Sequence, residues 1–230
     1  MHTIFVTGAT GYLGRALIPQ LIGRGHRVLA LTRSGSTQKL PTGCEIIVGE
    51  ALTPQSWAPG LVEADTIVHL IGVAHPSPSK ALEFERVDLG SVRAMLSALH
   101  RASAGAPQTD AGNPKHAVRH IVYLSVARPA PVMLAYQRVR EEAEALITSS
   151  GIAASFLRPW YVLGPGHRWP LLLLPLYWLL AALPSTRASA QRLGLVSLQQ
   201  MVNALVEAVE SPPQVTHIVD VPAIRRAPAT

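Results

Sequence analysis

A single cysteine, three lysines against seventeen arginines, and three phenylalanines are all that 230 residues hold of those types. One cysteine excludes a disulfide framework and any cysteine-based metal cluster. Cys44 heads the apolar run CEIIVG and reads as a small core residue. Charge is scarce too, at 15% of residues against 48% hydrophobic, so a large buried core is within reach without staples. No internal repeat is present. The longest apolar run, Leu171 to Leu183, is broken by Pro175 and falls short of the roughly 20 residues that a membrane-spanning helix needs. The start, HTIFVTG, enters a strand-like run with no leader pattern, so a cytoplasmic protein is expected.

The formal net charge of +6 raises the question of nucleic acid. The arginines are scattered, however, and the densest basic spots, KHAVRH (115–120) and Arg225–Arg226, are too short to form a stripe. No nucleic-acid partner is expected. Nine histidines raise the question of metal, but His116 and His120 have no acidic or cysteine companion nearby, and no metal site is expected.

Apolar, β-branched runs alternate with helix-period segments throughout. Strands are predicted near 2–7, 27–32, 44–48, 66–71, 118–124, 153–157 and 216–220, and helices near 12–23, 81–103, 134–149 and 198–210. Such alternation implies right-handed crossovers and an α/β fold with a doubly wound parallel sheet. Two stretches depart from it. Residues 101–116, rich in Gly, Ala and Pro, read as a surface loop. The segment RWPLLLLPLYWLLAALPS (168–185) reads as a buried helix, a cover over an apolar pocket, or an interfacial anchor between Arg168 and Arg187. Peripheral membrane contact through 169–184 is thus one of three open uses.

Chemistry concentrates in FVTGATGYLGRAL, where a strand meets a helix. Gly8 permits a tight turn, Gly11 lets backbone approach a phosphate, and Gly14 lets the helix pack on the sheet. The helix start adds free N–H groups and a positive dipole end, so the loop, with Thr10, Tyr12 and Leu13, is predicted to hold a pyrophosphate. Arg33 follows the second strand, where an acid would bind a ribose 2′-hydroxyl; an arginine there pairs with a 2′-phosphate, and Ser34 adds a hydroxyl. NADP(H) is therefore expected, with NAD(H) as the alternative.

The stretches VTGATGYLGRAL, HLIGVAHP, HIVYLSV and AYQRVREEAEALITSSGIAASFLRPWYVLGPG together resemble the short-chain dehydrogenase/reductase superfamily. The likeness is to its extended and atypical branch, which includes sugar-nucleotide epimerases, NmrA-like proteins and the NAD(P)-binding subunit of respiratory complex I. It covers residues 2–166 and, loosely, 195–221. It implies one Rossmann domain, 1–230, whose part from 159 onward shapes the substrate side. It also implies that Glu50 approaches adenine, that Leu70 and Gly72 run along the adenosine and ribose, and that Pro159 walls the nicotinamide. Ser125 would polarise a substrate carbonyl and Tyr136 would exchange a proton with it. Arg140 stands where the resemblance expects a lysine, and Asp88 where it expects an asparagine. Arg140 keeps a cation one helical turn from Tyr136 and donors for ribose, but loses a group able to relay protons.

His75, after the fourth strand, and the aromatics Trp160, Tyr161, Trp169, Tyr177 and Trp178 are further candidates for the substrate side. A homodimer through the Tyr136 helix is the partner arrangement the resemblance implies. The expectation is an NADP(H)-binding oxidoreductase or epimerase-like enzyme on a small or apolar carbonyl or alcohol. The competing one is a dinucleotide-binding redox sensor or assembly factor without turnover.

Overall fold

The computed structural model describes residues 1–105, 118–165, 188–189 and 191–228. Seven strands form one sheet: β1 (Thr3–Thr7), β2 (Arg27–Thr32), β3 (Glu45–Val48), β4 (Thr66–His69), β5 (His120–Leu124), β6 (Ala153–Leu157) and β9 (Thr216–Val219). Their order is β3-β2-β1-β4-β5-β6-β9 and every pairing is parallel. The inner strands are buried on both faces, which is why they read as continuous apolar strings. A shorter parallel pair, β7 (Tyr161–Leu163) with β8 (Leu195–Ser197), stands apart from the main sheet.

Helices cover both faces. Helices α1 (Tyr12–Gly23), α5 (Leu198–Glu210) and α6 (Val221–Arg226) share a core with one side of the sheet, built on Leu17, Leu21, Met201 and Leu205. Helices α3 (Gly90–Gly105) and α4 (Leu134–Ser149) pack with short helical turns on the other side, around Phe5, Trp57, Phe84 and Met95. Helix α5 begins with a capping box, in which Ser197 and Gln200 satisfy one another's backbone N–H groups.

The element order agrees with the sequence reading, with four departures. Strand β4 stops at His69, so Leu70 to Gly72 leave the sheet as loop. The helix expected over 81–103 begins as one turn, α2 (Ala81–Glu83), and continues as a π-helical stretch (Phe84–Leu89) before α3. That α3 runs to Gly105 overturns the start of the loop expected over 101–116, the rest of which lies outside the described residues. Neither the β7–β8 pair nor α6 was expected. The apolar segment 168–185 also lies outside the described residues. Among those described, no helix is long and apolar enough to cross a membrane.

Candidate active site

Order reverses between β1 and β4, and the crevice at that switch point is where a doubly wound sheet binds ligands. Gly8 leaves β1 with φ +71°, and a Cβ there would stand 2.9 Å from the Leu70 carbonyl carbon. A Cβ on Gly14 would meet the Gly8 oxygen at 2.5 Å, so the first turn of α1 can lie against the loop only as glycine. The α1 N-terminus has no side-chain cap and no acid in its first turn. An uncapped, acid-free helix start of this kind fits a diphosphate.

A cavity of about 570 Å³ opens beside this loop. Gly8, Gly11, Tyr12, Leu13 and Gly14 form one end, and Leu70, Gly72, Val73 and His75 one flank. Leu124, Val126, Met133 and Tyr136 form the opposite wall, with Trp160, Tyr161 and Val162 closing the side. His75 sits in a left-handed conformation, φ +49°, and Lys80 Nζ donates to the neighbouring Ala74 carbonyl at 2.9 Å, bracing that loop. Arg33 and Ser34 are exposed at the carboxyl end of β2, and Glu50 is exposed after β3. These three, with half-buried Thr10 and buried Pro159, do not line the cavity. The Thr32 hydroxyl turns to its own chain, at the Arg33 carbonyl.

Arg140 is buried, 2% exposed, at the floor of the cavity. Its Nη1 donates to the Leu124 carbonyl at 2.6 Å and to the Tyr123 hydroxyl at 3.1 Å. Its Nη2 donates to the Ile71 carbonyl at 3.4 Å and meets Asp88 Oδ1 at 2.5 Å, a charge contact outside hydrogen-bond alignment. Asp88, wholly buried, accepts the Val73 N–H on Oδ2. The guanidinium carbon lies 5.1 Å from the centre of the Tyr136 ring. Both Nη groups thus contact protein, while Nε is buried with no hydrogen-bond partner among the described residues.

The same cluster alters what Tyr136 can do. Burial raises its phenol pKa above the ordinary tyrosine value; Arg140 pulls it down and Asp88 pushes it further up. Tyr123 is pushed up to about 12 by burial, against Arg140. Burial raises the Asp88 pKa, with Arg140 opposing. An arginine keeps its proton, however, and a lone buried cation is costly, so the two stand as a charged pair at neutral pH. The cation expected to bring Tyr136 down is outweighed.

Ser125 departs from its expected place. It is buried and donates to Glu144 Oε1 at 2.5 Å, while its neighbours Leu124 and Val126 line the cavity. Residues adjacent along an extended chain point to opposite sides, so a wall built by Leu124 and Val126 turns Ser125 away. Glu144 also accepts from Arg128 Nη2 at 2.7 Å and from Arg158 Nε at 2.9 Å. Val126, Met133 and Glu144 were missed from sequence. Carrying the strand alternation of YLSVA past Leu124 would have found Val126. His167, Arg168, Trp169, Tyr177 and Trp178 lie outside the described residues.

A 3-2-1-4-5-6 parallel order with a glycine cradle at the switch point defines an NAD(P)-binding Rossmann protein of the short-chain dehydrogenase/reductase type. More particularly, residues 4–170 match the NAD dependent epimerase/dehydratase family, and the chain belongs to it. Ceramide reductase of Caulobacter vibrioides is 25% identical over 97% of this chain and 65% of its own length. A ketoreductase of Stigmatella aurantiaca, acting on a 4-hydroxy-2-methyl-3-oxo-4-farnesyl-3,4-dihydroquinoline-1-oxide, is 33% identical over 43% of this chain and 30% of its own. The chain therefore spans less than two thirds of the length of these relatives. In fold it is similar to UDP-N-acetylglucosamine 4-epimerase from Bacillus cereus, with a TM-score of 0.66 at 18% identity, covering 96% of this chain and 79% of that one.

Proposed function

We propose that the chain is an NADP(H)-dependent reductase for a carbonyl on an apolar small molecule. The observation that carries this reading is the cavity wall, built from Val73, Leu124, Val126, Met133, Trp160 and Val162 around Tyr136. Arg140 is the one permanent cation among the described lining residues, and Asp88 neutralises it. A diphosphate-bearing sugar would find no counter-charge among the described lining residues, whereas an alkyl or isoprenoid chain finds matching surface. The ceramide and farnesyl named for the two curated relatives agree with this.

The nicotinamide coenzyme, when bound, supplies or takes the hydride. The chain's own residues hold it: Gly8, Gly11 and Gly14 at the diphosphate, with Thr10, Tyr12 and Leu13 in the same loop. Arg33 and Ser34 face the 2′-phosphate, Glu50 the adenine, Leu70 and Gly72 the ribose, and Pro159 backs the nicotinamide. Tyr136 gives or takes the substrate proton. The part of the chain from 159 onward completes the substrate side through Trp160, Tyr161 and Val162.

The test is coenzyme oxidation with long-chain ketones and with nucleotide-sugars. Turnover of the ketones with NADPH preferred over NADH, a preference lost in Arg33→Ala, is the expected result. Turnover of nucleotide-sugars alone would overturn it. A second reading, dinucleotide binding without turnover, draws on the turned-away Ser125, which leaves Tyr136 without the serine hydroxyl that the family resemblance pairs with it. It predicts saturable coenzyme binding with no substrate in either panel consumed.

A further inference from the structure

Asp88 and Arg140 are both departures from the pattern the family resemblance implies, an acid for an amide and a guanidinium for an ammonium. They meet in the structure: Asp88 Oδ1 lies 2.5 Å from Arg140 Nη2, both side chains fully or almost fully buried. Guanidinium for ammonium leaves the buried charge as it was, whereas the acid adds the negative charge that answers it, so the pair buries none in net. Space has been left for the larger group, because a Cβ on Gly72 would overlap Arg140 Nη2.

The pair sits against Tyr136. A cation within a few ångströms favours phenolate; here Arg140 pulls that way while burial and Asp88 oppose it. The charged or titratable groups around the phenol are Arg140 on its own helix, Asp88 on the π-helical stretch, Tyr123 on β5 and His69 on β4. Tyr12, His75 and Tyr161 face it across the cavity. His69 is held neutral by burial and by Arg140, so it adds no positive charge.

We propose that Asp88 is a positioning residue that neutralises Arg140 beneath Gly72 and thereby keeps Tyr136 a phenol, fitted to give a proton to an oxygen in the cavity. In a reduction, the substrate carbon receives a hydride from the reduced coenzyme as the Tyr136 O–H bond breaks and its proton passes to the substrate oxygen. The phenolate so formed is reprotonated from water. This direction rests on the reductase reading above; the state of Tyr136 does not.

The test is an alkaline titration of phenolate absorbance on coenzyme-free protein, each variant read against its Tyr136→Phe counterpart. Asp88→Asn leaves Arg140 unmatched and is expected to lower the Tyr136 midpoint by roughly one to three pH units. The double variant Asp88→Asn/Arg140→Met, which has no buried charge to strand, is expected to titrate within about half a unit of wild type. An unmoved midpoint in Asp88→Asn overturns the proposal. So does a rise beyond about one unit in the double variant, which would mean that Arg140 acts unmatched in wild type. Titrations that go as expected in a protein that turns over no ketone would sink the reductase reading and leave Asp88 in this role.

Discussion

Gly72 is solvent-exposed with an ordinary backbone, and exposed positions usually accept substitution within about 0.5 kcal/mol. Here a Cβ would overlap Arg140 Nη2 and stand 3.0 Å from Asp88 Oδ1. Gly72→Ala must therefore push the guanidinium off its carboxylate, and breaking a buried pair costs about 3 kcal/mol. Urea unfolding should show that loss, together with weaker coenzyme binding. In an Asp88→Asn/Arg140→Met background there is no pair left to break, and the same alanine should cost less than about 1 kcal/mol. Equal costs in the two backgrounds would show that Gly72 protects something else. From sequence, Arg140 was legible as a retained cation and Asp88 as an odd acid. Their contact was not, since a π-helical stretch leaves no periodic trace by which to place Asp88 on a face.

Glu144 joins four elements at the carboxyl edge of the sheet. It receives Ser125 from the end of β5, Arg128 from the loop that follows, and Arg158 from the end of β6, all onto α4. One carboxylate thus answers two guanidinium groups whose side chains are only 17% and 18% exposed. Glu144→Gln leaves Arg158 without its carboxylate and Arg128 with only the contact to Glu141. The expected loss is about 2–3 kcal/mol, toward the low end for a broken buried pair because some water still reaches the arginines. Glu141, which is 65% exposed and 3.8 Å from Arg128 Nε, offers the control: Glu141→Gln should leave the melting temperature nearly unchanged. Comparable losses in the two variants would show that Glu144 does not act as a junction. At this scale the long apolar strands and amphipathic helices were readable because periodicity persists over many residues. The three-residue β7 and β8 carry no such pattern, being defined by pairing with each other. Helix α6 did carry a signal that went unread: Asp220 caps it, with a proline in its first turn.

Across the whole molecule, stability should depend on pH through two histidines buried on adjacent strands. Around His69 of β4, Ser91 of α3 donates to the Asp88 carbonyl, so its oxygen accepts from His69 Nε2–H, leaving Nδ1 to accept from Thr7. Burial, with Arg140 adding to it, lowers the His69 pKa to about 3. On β5, His120 bonds Ser155 Oγ, and burial, aided by His2, lowers it to about 4. Unfolded, each returns to about 6.5. Between those limits the unfolded chain binds more protons than the folded one, so stability falls as pH falls. At pH 5 both histidines are neutral when folded and mostly charged when unfolded, so the loss from pH 7 to pH 5 should be about 2 kcal/mol for each. The window is clean of the lowered carboxylates. Glu45, held down by Arg27, and Glu210, held down by His26 and Arg24 against burial, give up their contributions only below the ordinary carboxylate range near 4.3. Urea unfolding at the two pH values should therefore show a smaller difference in His69→Gln and in His120→Gln, by about 2 kcal/mol in each case. A difference undiminished in both variants would mean that the fall in stability comes from groups other than these two.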